Sequence, residues 1–318
     1  MTLKLAIITP GGDAPGMNAA IRAVVRASLK EGWEVFGVYR GYQGLIEKDI
    51  KQLTHRSVSG IIHLGGTILK SSRCQEIKTE QGLKKAVSTL KELNIDYLVV
   101  IGGDGSIKAA EKISKYLPVI CIPASIDNDV YGTDETIGFD TAIDTAVEAI
   151  DKIRDTATSF ERVFVVEVMG REHGFLALSV AVASGAEVVI IPEIKYNLDK
   201  IAKKIKQDKQ KGKSSEIIIF AEGAGNVEEF ALKLETKTGI PTRVSSLGYI
   251  QRGGSPSARS RILASLFGEY AVKLIKERQK NKVVVIQNNK IYHLDVKTVI
   301  ANEKQIDSHL LSILESLG

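Results

Sequence analysis

The chain has 318 residues, of which 44% are hydrophobic and 25% are charged, and its formal net charge is +5 at pH 7. This length is enough for about two domains that each bury a core. Because two cysteines cannot form a disulfide framework and no segment has the roughly 18 apolar residues of a membrane helix, we expect a cytoplasmic protein without a membrane span.

Short apolar runs alternate with amphipathic helical segments along most of the chain, which is the pattern of parallel sheets covered by helices. The runs predict strands at residues 3–8, 34–39, 97–101, 119–122, 163–168, 188–191, 217–221 and 283–286. The clearest helix is predicted at residues 141–156, where apolar side chains recur at helical spacing from Ala142 to Ile153. Two sheets that share one cleft are the simplest arrangement of these elements.

Two glycine-rich loops each follow a predicted strand and precede a helical segment. The first contains Gly11, Gly12 and Gly16, and the second, residues 102–106, reads Gly-Gly-Asp-Gly-Ser. Glycines let backbone N–H groups approach phosphate oxygens, and a helix N-terminus adds partial positive charge. Neither loop is a Walker A sequence, and the first loop taken alone is equally consistent with a tight turn that binds nothing. The second loop favours phosphate binding, and its Asp104 is the kind of oxygen ligand that Mg²⁺ takes beside phosphate.

A short polar turn, residues 123–129, follows the predicted strand at 119–122 and contains Ser125, Asp127 and Asp129. In an extended segment side chains two apart project to the same side, so both carboxylates would face one substrate while Asn128 points away. One carboxylate can accept a proton while the other orients its partner, because neighbouring charge separates their pKa values. The tripeptide alone favours an Asx-type turn that only ends the strand. The phosphate loops reverse that preference.

Arginines recur near the ends of the predicted strands. Arg171 follows the strand at 163–168 together with Met169 and Gly170, in the place where open α/β sheets bind ligands. Guanidinium groups match phosphate geometry, and Glu222, which ends another strand, can take a substrate hydroxyl. The arginines considered as ligands of a transferring phosphate or a sugar phosphate are Arg73, Arg162, Arg171, Arg243 and Arg252. Each alone is more typical of a salt bridge or an exposed surface, whereas their recurrence favours binding.

Lysines cluster over residues 195–213, on a segment with apolar residues at helical spacing. This pattern indicates a solvated helix face. Nucleic-acid binding would require interleaved aromatic side chains, and only Tyr196 is present, so we expect no nucleic-acid partner.

Together these motifs resemble the bacterial ATP-dependent 6-phosphofructokinases, the phosphofructokinase A family, nearly from end to end. The matching stretches are residues 11–20, 65–67, 102–106, 126–129, 138–141, 151–159, 167–171, 251–256 and 286–289. The resemblance implies two Rossmann-like three-layer α/β/α domains with mostly parallel sheets and a cleft between them. It implies a larger nucleotide-binding domain of residues 1–138 and 251–301, and a smaller sugar-phosphate domain of residues 139–250 and 302–318.

The resemblance also implies the reaction, which is Mg²⁺-dependent transfer of the ATP γ-phosphate to the 1-hydroxyl of D-fructose 6-phosphate in glycolysis. Asp127 is implied as the general base. The implied catalytic residues are Asp127, Asp129, Arg171, Arg73 and Ser125, and Asp104 is the implied metal ligand. The implied nucleotide-binding residues are Gly12, Arg73, Cys74, Gly103, Asp104, Gly105 and Ser106. The implied substrate-binding residues are Ser125, Asp127, Arg162, Met169, Gly170, Arg171, Glu222, Arg243, Tyr249 and Arg252.

The family is regulated and oligomeric. Arg162 and Arg243 are implied to reach in from a neighbouring subunit, which predicts a homotetramer with shared active sites. An effector site, where ADP activates or phosphoenolpyruvate inhibits, is implied at Arg22, Arg26, Arg154, Gly185, Glu187, Lys211 and Lys213, whose alternative is interface salt bridging. His55, Gly60 and Ser214 replace an arginine, an aspartate and a lysine of that site, so activation by ADP is less firmly implied than catalysis.

Other departures concern the substrates. Ser125 replaces a usual threonine and keeps the hydroxyl, and Tyr249 replaces a histidine that contacts the sugar phosphate. Pyrophosphate-dependent relatives carry aspartate and lysine at the positions of Gly105 and Ala124, so ATP is the favoured donor, although Ala109 crowds the adenine pocket by one methyl group. The alternatives are a pyrophosphate-dependent phosphofructokinase and a catalytically silent nucleotide or sugar-phosphate sensor.

Overall fold

The computed structural model describes residues 2–317 and divides into two compact units. The first unit runs to Thr141 and resumes over Arg252–Lys304, and the second contains Ala142–Gln251 and the residues from Gln305 onward. Both units are α/β structures with mostly parallel sheets, which confirms the predicted fold class.

Strands and helices alternate along the described chain. The strands are β1 (Lys4–Ile8), β2 (Glu34–Val38), β3 (Ile50–Leu53), β4 (Tyr97–Gly102), β5 (Val119–Pro123), β6 (Val163–Val168), β7 (Val188–Ile190), β8 (Glu216–Ala221), β9 (Thr242–Ser246), β10 (Lys282–Gln287) and β11 (Lys290–Asp295). The helices are α1 (Met17–Lys30), α2 (Tyr42–Glu47), α3 (Glu80–Glu92), α4 (Asp104–Ser114), α5 (Phe139–Phe160), α6 (Phe175–Ser184), α7 (Leu198–Gln210), α8 (Val227–Thr238), α9 (Ala258–Lys276), α10 (Val296–Ile300) and α11 (Ser308–Leu317).

The sheet of the first unit has the strand order β11-β10-β5-β4-β1-β2-β3. Its inner strands pair in parallel, and β3 and β11 are antiparallel strands at the two edges. Every residue of β4 and β5 is buried. Such uninterrupted burial explains why these strands read as continuous apolar runs, since a parallel sheet is covered by helices on both faces.

The sheet of the second unit has the order β7-β8-β6-β9, and all of its pairings are parallel. Its central strand β8 is buried throughout. Phe220 and Phe230 pack with ring centroids 5.4 Å apart and belong to the core that β8 shares with α7 and α8. Because all four strands point the same way, their carboxyl ends form one edge of the sheet and their amino ends the other.

Side-chain caps define where several helices begin. The side chains of Thr79, Asn197, Asn226 and Ser257 each accept a hydrogen bond from the backbone N–H three residues later, at the starts of α3, α7, α8 and α9. These caps satisfy N–H groups that the first helical turn leaves without an intrahelical partner. The predicted helix at 141–156 is confirmed and extends over the whole of α5.

Each of the eight predicted strands is present, and the structure has three further edge strands, β3, β9 and β11. In β3, which reads Ile50-Lys51-Gln52-Leu53, two exposed polar residues interrupt the apolar ones, and every residue of β11 is exposed or only partly buried. An edge strand needs no continuous apolar run, because one side of it has no neighbouring strand and its outer side chains contact water. None of the described helices has the combination of length and hydropathy that a membrane span requires.

Candidate functional site

Two glycine-rich loops of the first unit are joined by the side chain of Ser106. The hydroxyl of Ser106 donates to the carbonyl of Pro10 at 2.9 Å, and the hydroxyl of Tyr42 donates to the carbonyl of Ser106 at 2.7 Å. Gly11 adopts a φ of 91° and its N–H donates to the carbonyl of Ser72 at 3.1 Å. The loops after β1 and β4 and the segment that precedes Arg73 therefore meet at one edge of the sheet.

The loop after β4 also lies against the polar turn after β5. A Cβ atom built on Gly103 would be 3.3 Å from the Cβ atom of Ser125, and the N–H of Ala124 donates to the carbonyl of Gly102 at 3.1 Å. A Cβ atom built on Gly105 meets nothing within 4 Å. The helix α4 begins at Asp104, so its N-terminal N–H groups and the open space at Gly105 are both at the glycine-rich loop after β4.

The polar turn is tightly folded. Asp127 is 4% exposed, and its N–H donates to the hydroxyl of Ser125 at 3.1 Å. The side chain of Asn128 donates to the carbonyl of Asp134 and accepts from the N–H of Thr136, each at 3.0 Å. Asn128 has a φ of 53°, so the expectation of an extended segment is wrong. Asn128 turns the chain between Asp127 and Asp129. Its side-chain amide bonds to the backbone groups of Asp134 and Thr136 and so closes the loop in place of a backbone–backbone hydrogen bond.

Two lysines of the first unit interact with the carboxylates of the loop after β4 and of the polar turn. The ammonium group of Lys108 is 2.7 Å from the carboxylate of Asp104, and this hydrogen bond raises the pKa of Lys108, with a smaller effect from the charge of Asp129. Burial lowers the pKa of Lys304 to about 8, although the charges of Asp134 and Asp129 act in the opposite direction.

A magnesium ion would depend on few protein ligands here. Within residues 2–317 no group of three or more His, Cys, Asp and Glu side chains is arranged to hold a metal. Mg²⁺ commonly binds through one or two carboxylates together with substrate phosphates and water. The Asp104 carboxylate is 30% exposed at the glycine-rich loop after β4, which fits that donor set.

The other predicted residues of the first unit differ in exposure. Arg73 is exposed, and Gly12 and Cys74 are half-buried. Arg252 donates to the carboxylate of Asp13 at 2.6 Å, a partner in the first glycine-rich loop that sequence reasoning missed.

In the second unit, the turn after β6 is held by a carboxylate. The N–H groups of Gly170 and Arg171 donate to Oε1 of Glu222 at 3.3 and 2.7 Å. The N–H of Met169 donates to the side chain of Gln251 at 2.9 Å. Glu222 therefore positions the turn, and these hydrogen bonds were not predicted for it. Gln251 is fully buried and was missed by sequence reasoning.

Arg162 and Arg243 lie at the amino ends of the strands of the same sheet, opposite the carboxyl ends where the turn at 169–171 begins. Arg162 directly precedes β6, and Arg243 is the second residue of β9. The turn at 169–171 follows the other end of β6, and a strand of this length spans about 20 Å. Arg162 packs on the ring of Phe160 at 4.6 Å, and Arg243 donates to the carbonyl of Thr242. One copy of the unit therefore does not bring these two arginines to the turn at 169–171. Tyr249 is 76% exposed.

Four of the predicted effector residues do meet in the second unit. The ammonium group of Lys213 is 2.8 Å from the Glu187 carboxylate, and a guanidinium nitrogen of Arg154 is 3.9 Å from it. Arg154 also donates to the carbonyls of Ser184 and Gly185 at 2.7 and 3.3 Å. Lys211 is more exposed and lies 3.8 Å from Asp208. Arg22 and Arg26 lie four residues apart on α1 of the first unit.

Turns that follow parallel strands form the candidate site in each unit. They are rich in glycine in the first unit and are held by the carboxylate of Glu222 in the second. The chain is therefore an α/β protein of two units. A family model described as "Phosphofructokinase" matches residues 4–275. The chain belongs to the phosphofructokinase family.

Individual relatives agree with this assignment. A protein of Clostridium botulinum named ATP-dependent 6-phosphofructokinase is 52% identical over 315 residues, which are 99% of each chain. The Bacillus subtilis protein of the same name is 48% identical over 316 residues, again 99% of each chain. The crystal structure of Pichia pastoris phosphofructokinase in the T-state has a TM-score of 0.89 and 36% identity. That match covers 95% of this chain and 36% of the Pichia chain. A pyrophosphate-dependent phosphofructokinase from Marinobacter aquaeolei, at 22% identity over 96% of this chain and 86% of its own, shares the fold with a TM-score of 0.85.

Proposed function

We propose that this phosphofructokinase transfers the γ-phosphate of ATP to the 1-hydroxyl of D-fructose 6-phosphate, giving fructose 1,6-bisphosphate and ADP. The names of relatives that are 48–52% identical over nearly the whole chain support this activity. The observation that carries the chemistry is the contact of the loop at Gly103 with the turn at Ser125, which brings a phosphate loop beside Asp127.

The first unit is proposed to bind the nucleotide. Backbone N–H groups at the start of α4 and the glycines at 12, 103 and 105 would contact phosphate oxygens, and the hydroxyl of Ser106 holds the loop in shape. The space at Gly105 accommodates a ligand. Arg73 and Cys74 are proposed to complete the nucleotide contacts.

Asp127 is proposed as the general base. Its carboxylate takes the proton of the 1-hydroxyl as the hydroxyl oxygen forms a bond to the γ-phosphorus. The bond between that phosphorus and the bridging oxygen breaks, and the bridging oxygen leaves as part of ADP. Ser125 is proposed to act by accepting the Asp127 N–H, which fixes the turn. Asp129 assists the base, and Arg73 and Arg171 are proposed to neutralise charge on the transferring group.

Asp104 is proposed to hold Mg²⁺ together with the phosphates of the donor. When bound, the ion neutralises phosphate charge and orients the donor. For Asp104 to serve, its carboxylate must exchange the Lys108 ammonium group for the ion, and Lys108 is 58% exposed and can move into solvent.

The second unit is proposed to bind the sugar phosphate, with Met169, Gly170, Arg171, Glu222 and Tyr249 as ligands at the carboxyl edge of its sheet. Arg252, which belongs to the first unit, is proposed as a further ligand of the sugar phosphate. Arg162 and Arg243 lie at the amino edge of the sheet in one copy, which supports the proposal that they serve a neighbouring copy in a homotetramer.

The cluster of Arg154, Gly185, Glu187 and Lys213 is proposed as the second unit's part of an effector site for ADP or phosphoenolpyruvate, and Lys211, Arg22 and Arg26 are proposed as further contacts. Its cationic groups and exposed lysine suit a phosphorylated anion. A cytoplasmic location stays a prediction.

Parallel assays with the two donors test the activity. Fructose 6-phosphate is supplied with Mg²⁺ and either ATP or pyrophosphate at equal concentrations, and formation of fructose 1,6-bisphosphate is measured. We expect turnover with ATP and none above background with pyrophosphate. Turnover with pyrophosphate alone contradicts the assigned donor, and binding of ATP without product supports a silent sensor instead.

A further inference from the structure

One carboxylate in the second unit is buried without an evident structural purpose. Glu216 is the first residue of β8, and its side chain is 6% exposed. Within the part of the chain that the structure describes, neither carboxylate oxygen of Glu216 has a hydrogen-bond partner. A buried carboxylate that accepts no hydrogen bond is costly when it is ionised.

Glu216 forms an ion pair with Lys213, which also pairs with a second carboxylate. The Lys213 ammonium group is 3.4 Å from Glu216 and 2.8 Å from Glu187. Glu187 is better satisfied, since its other oxygen accepts the N–H of Ile217 at 2.6 Å. Lys213 therefore mainly serves Glu187, and Glu216 is the less compensated of the two.

Other charged groups around this pair come from several elements. Arg154 of α5 approaches Glu187, Lys204 of α7 donates to the Glu187 carbonyl, and the charge of Asp208 acts on Glu216. Glu216 and Lys213 also line a small cavity whose other charged residues are Glu161, Arg162 and Lys209. Among the described residues, Lys213 is the cation that forms an ion pair with Glu216, so a bound anion would compete for Lys213 itself.

We propose that Glu216 makes binding of a phosphorylated anion at Lys213 dependent on the uptake of one proton, which goes from solvent to the Glu216 carboxylate. The inference deepens the proposed function, because it rests on the effector site assigned there. When an anion engages Lys213, an ionised Glu216 would be left buried beside Glu187 and the ligand with no cation of its own. Protonation of Glu216 removes that repulsion, so the proton and the anion bind together.

The ionisation of Glu216 is suited to this linkage. Burial, followed by the charge of Glu187, raises the pKa of Glu216 to about 7 in the free protein. An added anion raises it further. A ligand that raises a pKa binds more tightly as the pH falls, so the affinity should increase from pH 8 to pH 6.

The test is calorimetric titration of the full-length protein with phosphoenolpyruvate, which is neither donor nor product of the proposed transfer. Titrations at pH 6, 7 and 8, each in two buffers of different ionisation enthalpy, count the protons taken up. The wild type is compared with Glu216→Gln, which imitates the protonated carboxyl, and with Glu228→Gln, an exposed control on α8. Because the ligand's own phosphate also titrates, the difference between variants is the informative quantity.

If only protonated Glu216 permits binding, the wild-type affinity should be about tenfold weaker at pH 8 than at pH 6, beyond the change seen in Glu216→Gln. Glu216→Gln should bind about tenfold more tightly than the wild type at pH 8 and equally at pH 6. The Glu228→Gln variant should follow the wild type.

Equal proton uptake in the wild type and Glu216→Gln overturns the linkage and leaves the effector site intact, provided that Lys213→Met abolishes binding in both. If neither phosphoenolpyruvate nor ADP binds in a way that depends on Lys213, the effector site itself is refuted and the linkage with it. A Glu216→Gln variant that fails to fold would be detected by thermal unfolding. In that case the proton count of the wild type at pH 7 and pH 8 decides, because uptake no greater than the ligand's own phosphate requires also overturns the proposal.

Discussion

The loop after β4, proposed above to bind the phosphoryl donor and here called the donor loop, contains glycine for a different reason from the turn after β8, which packs against the turn after β6. At Gly105 an added Cβ atom would meet nothing within 4 Å, whereas at Gly223 it would lie 2.0 Å from the carbonyl oxygen of Arg171. The fold therefore requires Gly223, because the backbone segments approach too closely for a side chain. It does not require Gly105, and the open space there fits the proposal that Gly105 contacts a ligand.

The two regions also differ in how they are held. Beside the donor loop, the turn with Asp127 is buried and closed by Asn128, whose amide bonds two backbone groups of the same loop. The turn after β6 is held by the carboxylate of Glu222, which is itself exposed, and by the buried side chain of Gln251. The first region is closed by hydrogen bonds within its own loop. The second relies on the side chains of Glu222 and Gln251, which follow other strands and which a substitution can remove.

The largest expected effect is at Asp127. Replacing Asp127 with Asn removes the proton acceptor and keeps the shape of the turn, so we expect kcat to fall by at least about 10²-fold with little change in KM. Steady-state kinetics with ATP and fructose 6-phosphate measure this. Thermal unfolding serves as the control for folding, and turnover within a few-fold of the wild type would remove Asp127 from the role of base.

A smaller effect is expected at Glu222. Glu222→Ala leaves the N–H groups of Gly170 and Arg171 without their acceptor, so the KM for fructose 6-phosphate should rise about tenfold while the KM for ATP stays unchanged. Glu222→Gln keeps an acceptor oxygen and is the matched control. If both variants lose affinity equally, the charge of Glu222 matters and its positioning of the turn does not.

The smallest effects separate the two glycines. Gly105→Ala lies within the first turn of α4 and should stabilise the protein by about 0.5–1 kcal/mol, because alanine favours a helix over glycine. Its KM for ATP should nevertheless rise a few-fold, since the methyl group enters the ligand space. Gly223→Ala should instead destabilise the protein by about 1–3 kcal/mol through overpacking. Thermal unfolding and ATP kinetics measure both variants, and a destabilised Gly105→Ala would show that the loop has a structural need for glycine.

Local patterns predicted the strands and the loops well. The buried strands β4 and β5 are continuous apolar runs, and each glycine-rich loop is a contiguous segment with glycine at the turn, so neighbouring residues alone carry the signal. The prediction for residues 127–129 was less accurate. Its extended geometry is wrong because Asn128 adopts a left-handed conformation that its bonds to Asp134 and Thr136 stabilise, and those partners lie several residues away.

The sequence by itself determined the alternation of strands and helices and the residues that follow each strand, because hydrophobic periodicity and glycine preferences act over a few positions. Only the tertiary structure decided that Arg162 and Arg243 lie at the other edge of the sheet from Met169 and Arg171. It also decided that Glu216 lies beside Lys213 and Glu187. Such positions depend on which strands pair and in what register, and these are properties of residues that are distant in the chain.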